Sequence, residues 1–209
     1  MPIVNIAAIV EGHGEVEAVP ILIRRIAQFI KPDFIMNVLT PLRVPANRLL
    51  KAGEIERTVN FAARKIGRRG GILVLIDCDW AGCCPAQDGP KLLERALSVH
   101  KDLPIAVVLA KQEFEAWFLA AAESLRGKRG LPWDLQPPKD PESIRGAKEW
   151  LSKKMISERV YSETTDQPAL TAEFDMDLAR CAGSFDKCFR DIQNLIRRAS
   201  LQNVNNPLS

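Results

Sequence analysis

Three apolar runs, each closed by acidic residues, constrain this chain more than any other feature. VNIAAIV (4–10) runs into Glu11 and Glu15 of EGHGE, ILVLI (72–76) into Asp77 and Asp79 of DCDW, and IAVVLA (105–110) into Glu113 and Glu115 of KQEFEAW. A strand that does not alternate apolar with polar residues is buried on both faces, as in a parallel sheet. FIMNVL (34–39) reads as one further strand. Helical spacing fills the gaps between strands, through Val19, Leu22, Ile23 and Ile26, then Ile55, Val59, Ala62 and Ile66, then Leu92, Leu93, Ala96 and Leu97. The β-α alternation predicts an α/β fold with right-handed crossovers and strand order 2-1-3-4. In such a sheet the carboxyl ends of the strands share one rim, and ligands bind there.

Local signals set the expected boundaries. Pro20 fits a helix only near its start, so the first helix is expected to begin close to Glu17 and to end at Pro32. Residues 40–53 read as irregular, 54–67 as helix, GRRGG as a turn, 80–90 as a loop and 90–101 as helix. Another helix carries Phe114, Trp117, Phe118 and Ala121. After Ser124 the composition turns basic and rich in Pro and Gly, as in a linker or strap. Helices are expected over 143–155, 168–181 and 184–198, with the last ten residues frayed. The division is a 1–124 α/β domain and a 125–209 helical extension. The apolar stripe of Phe185, Phe189, Ile192 and Leu195 is too large to leave wet, so the two are expected to form one compact unit.

Bulk properties exclude little. A net charge of +3 neither announces nor forbids a nucleic-acid partner. No apolar run approaches the roughly 20 residues of a membrane helix. MPIVNIAAIV lacks the basic start of a signal peptide, so a cytoplasmic protein is expected. Five cysteines, two of them adjacent, do not resemble a disulfide framework, and a reducing compartment fits them. Zinc binding by Cys78, Cys83 and Cys84 lacks a C-x-x-C pair.

The acids carry the chemistry. Carboxylates crowded on one rim repel one another, and hard divalent cations relieve that repulsion. Alternation sends Asp77 and Asp79 to one side of a strand and Cys78 to the other. A helix cap is the plain alternative for Asp79, and the helix dipole equally suits Glu15, Glu17, Glu113 and Glu115. Glu11, at a strand end, has no such explanation. G-H-G between strand and helix is half a dinucleotide fingerprint, but Glu17 occupies the place of the third glycine. His13 can contact a phosphate or remain a solvated turn residue. Trp80 can stack on a base or pack the site wall. Serine-elbow, P-loop and H-E-x-x-H motifs are absent from the sequence.

A glutamate-glycine turn after the first strand and a DxD after the third resemble the Toprim domain of topoisomerases, bacterial-type primases and overcoming-lysogenization-defect nucleases. EGHGE, LVLIDCD, KQEFEAWFLA, YSETTDQPALTAEFDMDLAR and SFDK together resemble a bacterial Toprim-like family, domain of unknown function 4276, often encoded beside ATPases. The resemblance implies a Toprim-like (Rossmann-like) parallel sheet flanked by helices. It implies that Glu11 is a general acid/base or metal ligand and that Asp77 and Asp79 hold Mg²⁺ or Mn²⁺. Glu15 with Glu113 or Glu115 would complete a second metal position. The sequence departs from the pattern after DxD, where Trp80-Ala81-Gly82 replaces further acids. Its single tyrosine, Tyr161, lies outside the Toprim-like part, which disfavours strand passage.

The expectation is metal-dependent phosphodiester hydrolysis on nucleic acid, DNA before RNA, with an ATPase as a candidate partner. Lys111, Lys148 and Lys187 are candidate phosphate contacts, and Arg126, Lys128, Arg129, Lys153 and Lys154 can track a backbone or form a solvated face. The rivals are a non-catalytic partner of an ATPase and a phosphatase or nucleotidyl transferase acting on a small phosphoester.

Overall fold

The computed structural model describes residues 3–30, 33–67 and 69–204. Strands β1 (Ile3–Val10), β2 (Ile35–Val38), β3 (Leu42–Arg43), β4 (Gly71–Cys78) and β5 (Ile105–Lys111) form one parallel sheet. Its order is β2-β1-β4-β5, and β3 pairs with β1 beyond β2. This is the expected order, with the two-residue β3 added inside a stretch read as irregular. Helices α1 (His13–Gln28), α2 (Ala46–Leu49), α3 (Glu54–Lys65) and α4 (Pro85–Val99) connect the strands. After β5 come α5 (Ala116–Ala120), two 3₁₀ turns (Ala122–Leu125 and Pro141–Ser143), α6 (Ala147–Lys154), α7 (Glu163–Glu173), α8 (Met176–Ala179) and α9 (Gly183–Val204).

Residue parity along the strands sorts two cores. Val4, Ile6, Ala8, Val10, Leu73, Leu75, Ala106 and Val108 pack on one face with α1, α5 and the helices after Ser124. Ala7, Ile9, Ile72, Val74, Ile76, Cys78, Val107 and Leu109 pack on the other with α3 and α4. Phe185, Cys188, Phe189, Ile192, Leu195 and Ile196 of α9 are all buried in the first core. Edge-to-face contacts from Trp117 to Phe185 (5.2 Å), Phe185 to Phe174 (5.4 Å) and Phe174 to Phe118 (5.6 Å) lock α5, α9 and the end of α7 together. Glu142 accepts from the N–H groups of Gly183 (3.2 Å) and Ser184 (2.8 Å), capping α9 where it meets β5.

Several helix limits differ from expectation. Helix α1 starts at His13, four residues before Glu17, because the Glu15 carboxylate accepts the Gly12 N–H and supplies the cap. Pro20 then lies inside the helix and is buried. The expected stop at Pro32 and the last five residues lie outside the described residues, as does part of the GRRGG turn; α9 itself continues to Val204. Helix α4 begins at Pro85, inside the expected loop, with Pro85 in its first turn and Cys84 N–H donating to Asp88 (2.9 Å). The expected 168–181 helix is two helices. Phe174 is extended and buried between them, and Asp175 caps the second through Asp177 and Leu178 N–H (2.8 and 3.1 Å).

The second glycine of EGHGE serves packing. A Cβ on Gly14 would lie 2.0 Å from Gln167 Oε1 and 2.5 Å from the Glu163 carbonyl oxygen, because α7 crosses against the start of α1. Gln167 can swing aside, but backbone cannot. Gly14→Ala should therefore cost about 1–3 kcal/mol by overpacking. Urea unfolding of the variant checks this, and an unchanged midpoint would contradict the close approach.

Candidate metal centre at the carboxylate rim

The carboxyl ends of β1, β4 and β5 are adjacent, so the three acidic motifs meet. Asp77 is the last residue but one of β4 and is buried; its Oδ1 accepts the Phe114 N–H at 2.9 Å. Gln112 makes this contact possible. It takes a left-handed backbone (φ 66°) and bridges to Cys78, turning Glu113–Glu115 back over the end of β4. A non-glycine residue in that region costs about 1 kcal/mol and is held there by surrounding structure.

Each acid has a distinct environment. Glu11 is half-buried; Oε1 accepts from Ala46 N–H (3.3 Å), and buried Oε2 has no hydrogen-bond partner. Glu15 is buried and caps α1. Glu113 accepts from the Lys148 N–H at 3.3 Å, at the start of α6. Glu115 is fully buried; Oε1 accepts from the Tyr161 hydroxyl (2.9 Å), while Oε2 has no partner. Asp79 is exposed. The helix-dipole explanation thus accounts for Glu15 and Glu113, and leaves the free oxygens of Glu11 and Glu115 unexplained.

Burial and mutual repulsion raise the affinity of this cluster for protons. Burial pushes Glu11 up, against the Ala46 N–H, and Asp79 adds to it. Burial lifts Glu15 to about 7, with Glu11 contributing. Burial, then Glu15 and Glu115, hold Asp77 well above the usual carboxylate range. Burial lifts Glu115 to about 7, partly offset by Lys148 and the Tyr161 hydroxyl.

The counter-charge comes from the C-terminal extension. Lys148 Nζ pairs with Glu163 at 2.7 Å. Burial works against its charge, but Glu115, Glu163 and Asp77 more than offset this and raise its pKa. Lys148, expected as a phosphate contact, thus lies within the field of the acids. Lys187 does not. Its ammonium bonds to the Val107 carbonyl (3.3 Å) and to Asp191, and to no rim carboxylate. Lys111 is exposed at the end of β5, its N–H donating to Ser184 (3.2 Å). Lys128 pairs with Glu173 (2.7 Å), and Arg129 and Arg159 both pair with buried Asp166, so Lys128 and Arg129 are already engaged within the fold. Trp80 packs on the α3–α4 core as a wall, and His13 is exposed.

Sequence reasoning missed Tyr161 and Glu163 as site residues, and only their place in YSETT flagged them. Tyr161 is buried, and burial followed by Glu115 holds its hydroxyl far above the ordinary range, so it is a hydrogen-bond donor here.

The cysteines correct an expectation. Cys78 and Cys83 form a disulfide, with Cα atoms 5.6 Å apart. Gly82 turns the DxD loop back in a left-handed conformation (φ 79°), bringing Cys83 under the strand end. Cys84, Cys181 and Cys188 are free thiols. Denatured, unreduced protein should therefore titrate three thiols and reduced protein five; five in both would contradict the pairing.

The donors available at the rim are all oxygens, which suits Mg²⁺ or Mn²⁺. The partnerless oxygens of Glu11 and Glu115 are what a hard cation or its bound water satisfies. The fit is in donor type and charge: among the described residues no three acidic, histidine or cysteine side chains are gathered as an ion-holding group.

These features define a parallel α/β protein with a half-buried acidic rim closed by C-terminal helices, an arrangement compatible with a Toprim-like or Rossmann-like fold. The chain belongs to the family described as Domain of unknown function (DUF4276), whose model matches residues 10–193. No curated protein matches the sequence. Among solved structures, the C-terminal region of the Xanthomonas campestris pv. campestris OLD protein is similar at TM-score 0.43 and 14% identity, over 92% of this chain and 95% of that chain. No helix among the described residues is long and apolar enough to cross a membrane.

A carboxyl whose pKa rises on folding stabilises the native state below its unfolded value. For Glu15 and Glu115 that contribution is complete below about pH 4.5 and lost as pH rises through about 7. Metal-free protein should therefore lose several kcal/mol between pH 5 and pH 8, about 2–3 for each of the two groups. Glu115→Gln, which keeps an acceptor for Tyr161, should flatten the loss. Melting curves across that range test it, and a parallel profile in the variant would count against a buried, protonatable Glu115.

Proposed function

We propose that this protein is a Toprim-type, metal-dependent phosphodiesterase acting on nucleic acid, DNA before RNA. The observation that supports this most is the pair of buried carboxylate oxygens, on Glu11 and Glu115, left without partners at a rim of six acids. Glu11, Asp77 and Asp79 would hold one Mg²⁺ or Mn²⁺, with Glu15, Glu113 and Glu115 supporting a second. When bound, such an ion lowers the pKa of water and polarises a phosphoryl oxygen. The chain's own groups supply the rest. Glu11, its carboxyl raised above the ordinary range by burial, can take or return a proton. Lys148 keeps the rim from accumulating its full negative charge, which otherwise repels a phosphodiester. Tyr161 fixes the Glu115 carboxylate, and Phe114 N–H fixes that of Asp77.

A second reading rests on Lys148. An ammonium among the acids already supplies counter-charge, and on this reading the protein is a non-catalytic partner of an ATPase.

The test is cleavage of supercoiled plasmid, single-stranded DNA and RNA, with nucleotides as the small-phosphoester arm, with and without an ATPase encoded beside the gene. Chelation should abolish activity. Mn²⁺ should exceed Mg²⁺, because Mg²⁺ demands near-ideal octahedral ligands and this rim is not pre-gathered. Glu11→Gln and Asp77→Asn should each lower the rate at least about 100-fold without unfolding the protein. Absence of cleavage with every substrate and metal would favour the partner reading, and hydrolysis of nucleotides alone the small-phosphoester one.

A further inference from the structure

A cavity of about 280 Å³ opens at the β3 edge, lined by Arg43, Arg48, Arg57, Thr58 and Phe61 with the apolar Leu42 and Val44. Its position follows from the sheet. Arg43 pairs in register with Val10, the residue before Glu11, and Val44 N–H donates to the Val10 carbonyl at 2.8 Å. Paired strands lie about 4.8 Å apart. The cavity wall and the candidate catalytic Glu11 are therefore neighbours on the same edge of the molecule. Three residues after Arg43, Ala46 N–H donates to Glu11 (3.3 Å).

Its composition differs from that of the rim. Arg48 (2.9 Å) and Arg57 (2.7 Å) share one carboxylate, Glu54. Arg43 is exposed and has no ion-pair partner among the described residues. Three guanidiniums against one carboxylate leave an excess of positive charge. Phe61 is 53% exposed, unusual for a phenylalanine on a helix with a well-formed buried face, and Lys65 Nζ sits 5.9 Å from its ring centre. A flat, half-open aromatic beside guanidiniums is what an unpaired base and its phosphate require: the ring offers a stacking face and the arginines take the anionic oxygens. A duplex hides its base faces, so the features favour a single strand.

We infer that the Arg43–Arg48–Arg57–Phe61 cavity binds a nucleotide unit of single-stranded nucleic acid, its base on Phe61 and its phosphate on the guanidiniums, and feeds the neighbouring phosphodiester to the acidic rim. This rests on the reading that the rim acts on nucleic acid. It also assigns the phosphate-binding charge to the β3–α3 flank instead of the lysines picked out in the sequence.

The test measures binding without cleavage. Full-length protein carrying Glu11→Gln and Asp77→Asn is titrated against fluorescein-labelled dodecamers of thymidylate, of uridylate and of duplex DNA, by anisotropy at several salt concentrations. Phe61→Ala in that background should weaken single-strand binding about tenfold. Arg43→Ala should weaken it and lower the slope of log Kd against log salt by about 0.7, as loss of one phosphate contact requires. Both side chains are exposed, so neither change removes core packing, and the salt slope reports phosphate contact specifically. Binding by either the deoxy or the ribo strand with these sensitivities supports the inference and identifies the sugar. Unchanged Kd and slope in both variants, absence of single-strand binding, or tighter binding to duplex would each overturn it. Hydrolysis of bis(4-nitrophenyl) phosphate by the unmodified protein with Mn²⁺ is scored separately. Its absence beside intact, pocket-dependent binding sinks the hydrolytic reading and leaves the pocket standing.

Discussion

Crowding carboxylates in a half-dry rim is unfavourable, and much of this fold exists to tolerate it. Burial is the largest cause raising the proton affinity of Glu11, Glu15, Asp77 and Glu115, and Glu11, Glu15 and Glu115 add to it at their neighbours. Backbone amides meet part of the cost: Gly12 N–H serves Glu15, Ala46 N–H serves Glu11, Phe114 N–H serves Asp77 and Lys148 N–H serves Glu113. Lys148 supplies the one nearby full positive charge identified in the field of these groups, and the Tyr161 hydroxyl supplies a neutral donor. Two oxygens remain unserved, and these set the rim apart from an ordinary set of helix caps.

That arrangement makes the C-terminal helices part of the candidate site. Lys148 lies on α6, Tyr161 just before α7 and Glu163 at its start; Lys148 and Tyr161 act on acids from the ends of β1, β4 and β5, and Glu163 pairs with Lys148. They are held in place by packing far from the rim. The aromatic contacts of Trp117, Phe174 and Phe185 fix α9 and the end of α7 on the sheet, and Arg25 reaches from α1 to the carbonyls of Thr171 (2.7 Å) and Phe174 (2.8 Å). Gly14 allows α7 to touch the start of α1, which brings Glu163 towards Lys148. A glycine that resembles part of a phosphate-binding loop is therefore occupied by the protein's own helix.

The strands were legible because burial on both faces leaves an unbroken apolar run, and nothing local competes with that signal. The α9 stripe was legible for the same reason at helical spacing. Helix ends were less so. Pro20, Pro90 and Pro168 all lie inside helices, where a sequence rule places a boundary, and the cap on α1 is an acid three residues in, following a glycine. Cys78–Cys83 was missed because only the Gly82 turn brings the two together. Of the site, the acids could be read because strand ends share a rim by topology. The partners could not: Lys148 lies 35 residues from Glu113 on α6, and Tyr161 46 residues from Glu115 in the segment before α7, and no local pattern encodes how these pack on the sheet.

Charge is divided in space in a way that net charge conceals. The +3 total is nearly neutral for 209 residues, yet the acids gather at three strand ends while Arg43, Arg48 and Arg57 gather one strand over, on β3, α2 and α3. The separation is sharp because β3 pairs with β1 only at Ile9 and Val10, so its basic flank begins where the acidic turn begins. A polyanion approaching the acids alone meets repulsion; approaching across the β3 edge, it meets guanidiniums first and an exposed ring. Lys148, on α6, adds positive charge within the field of the acids. A rim that binds a cation must be negative, and a site that binds a phosphodiester must be positive. On the proposed reading, the two fields on adjacent strands let one edge of a small parallel sheet meet both requirements.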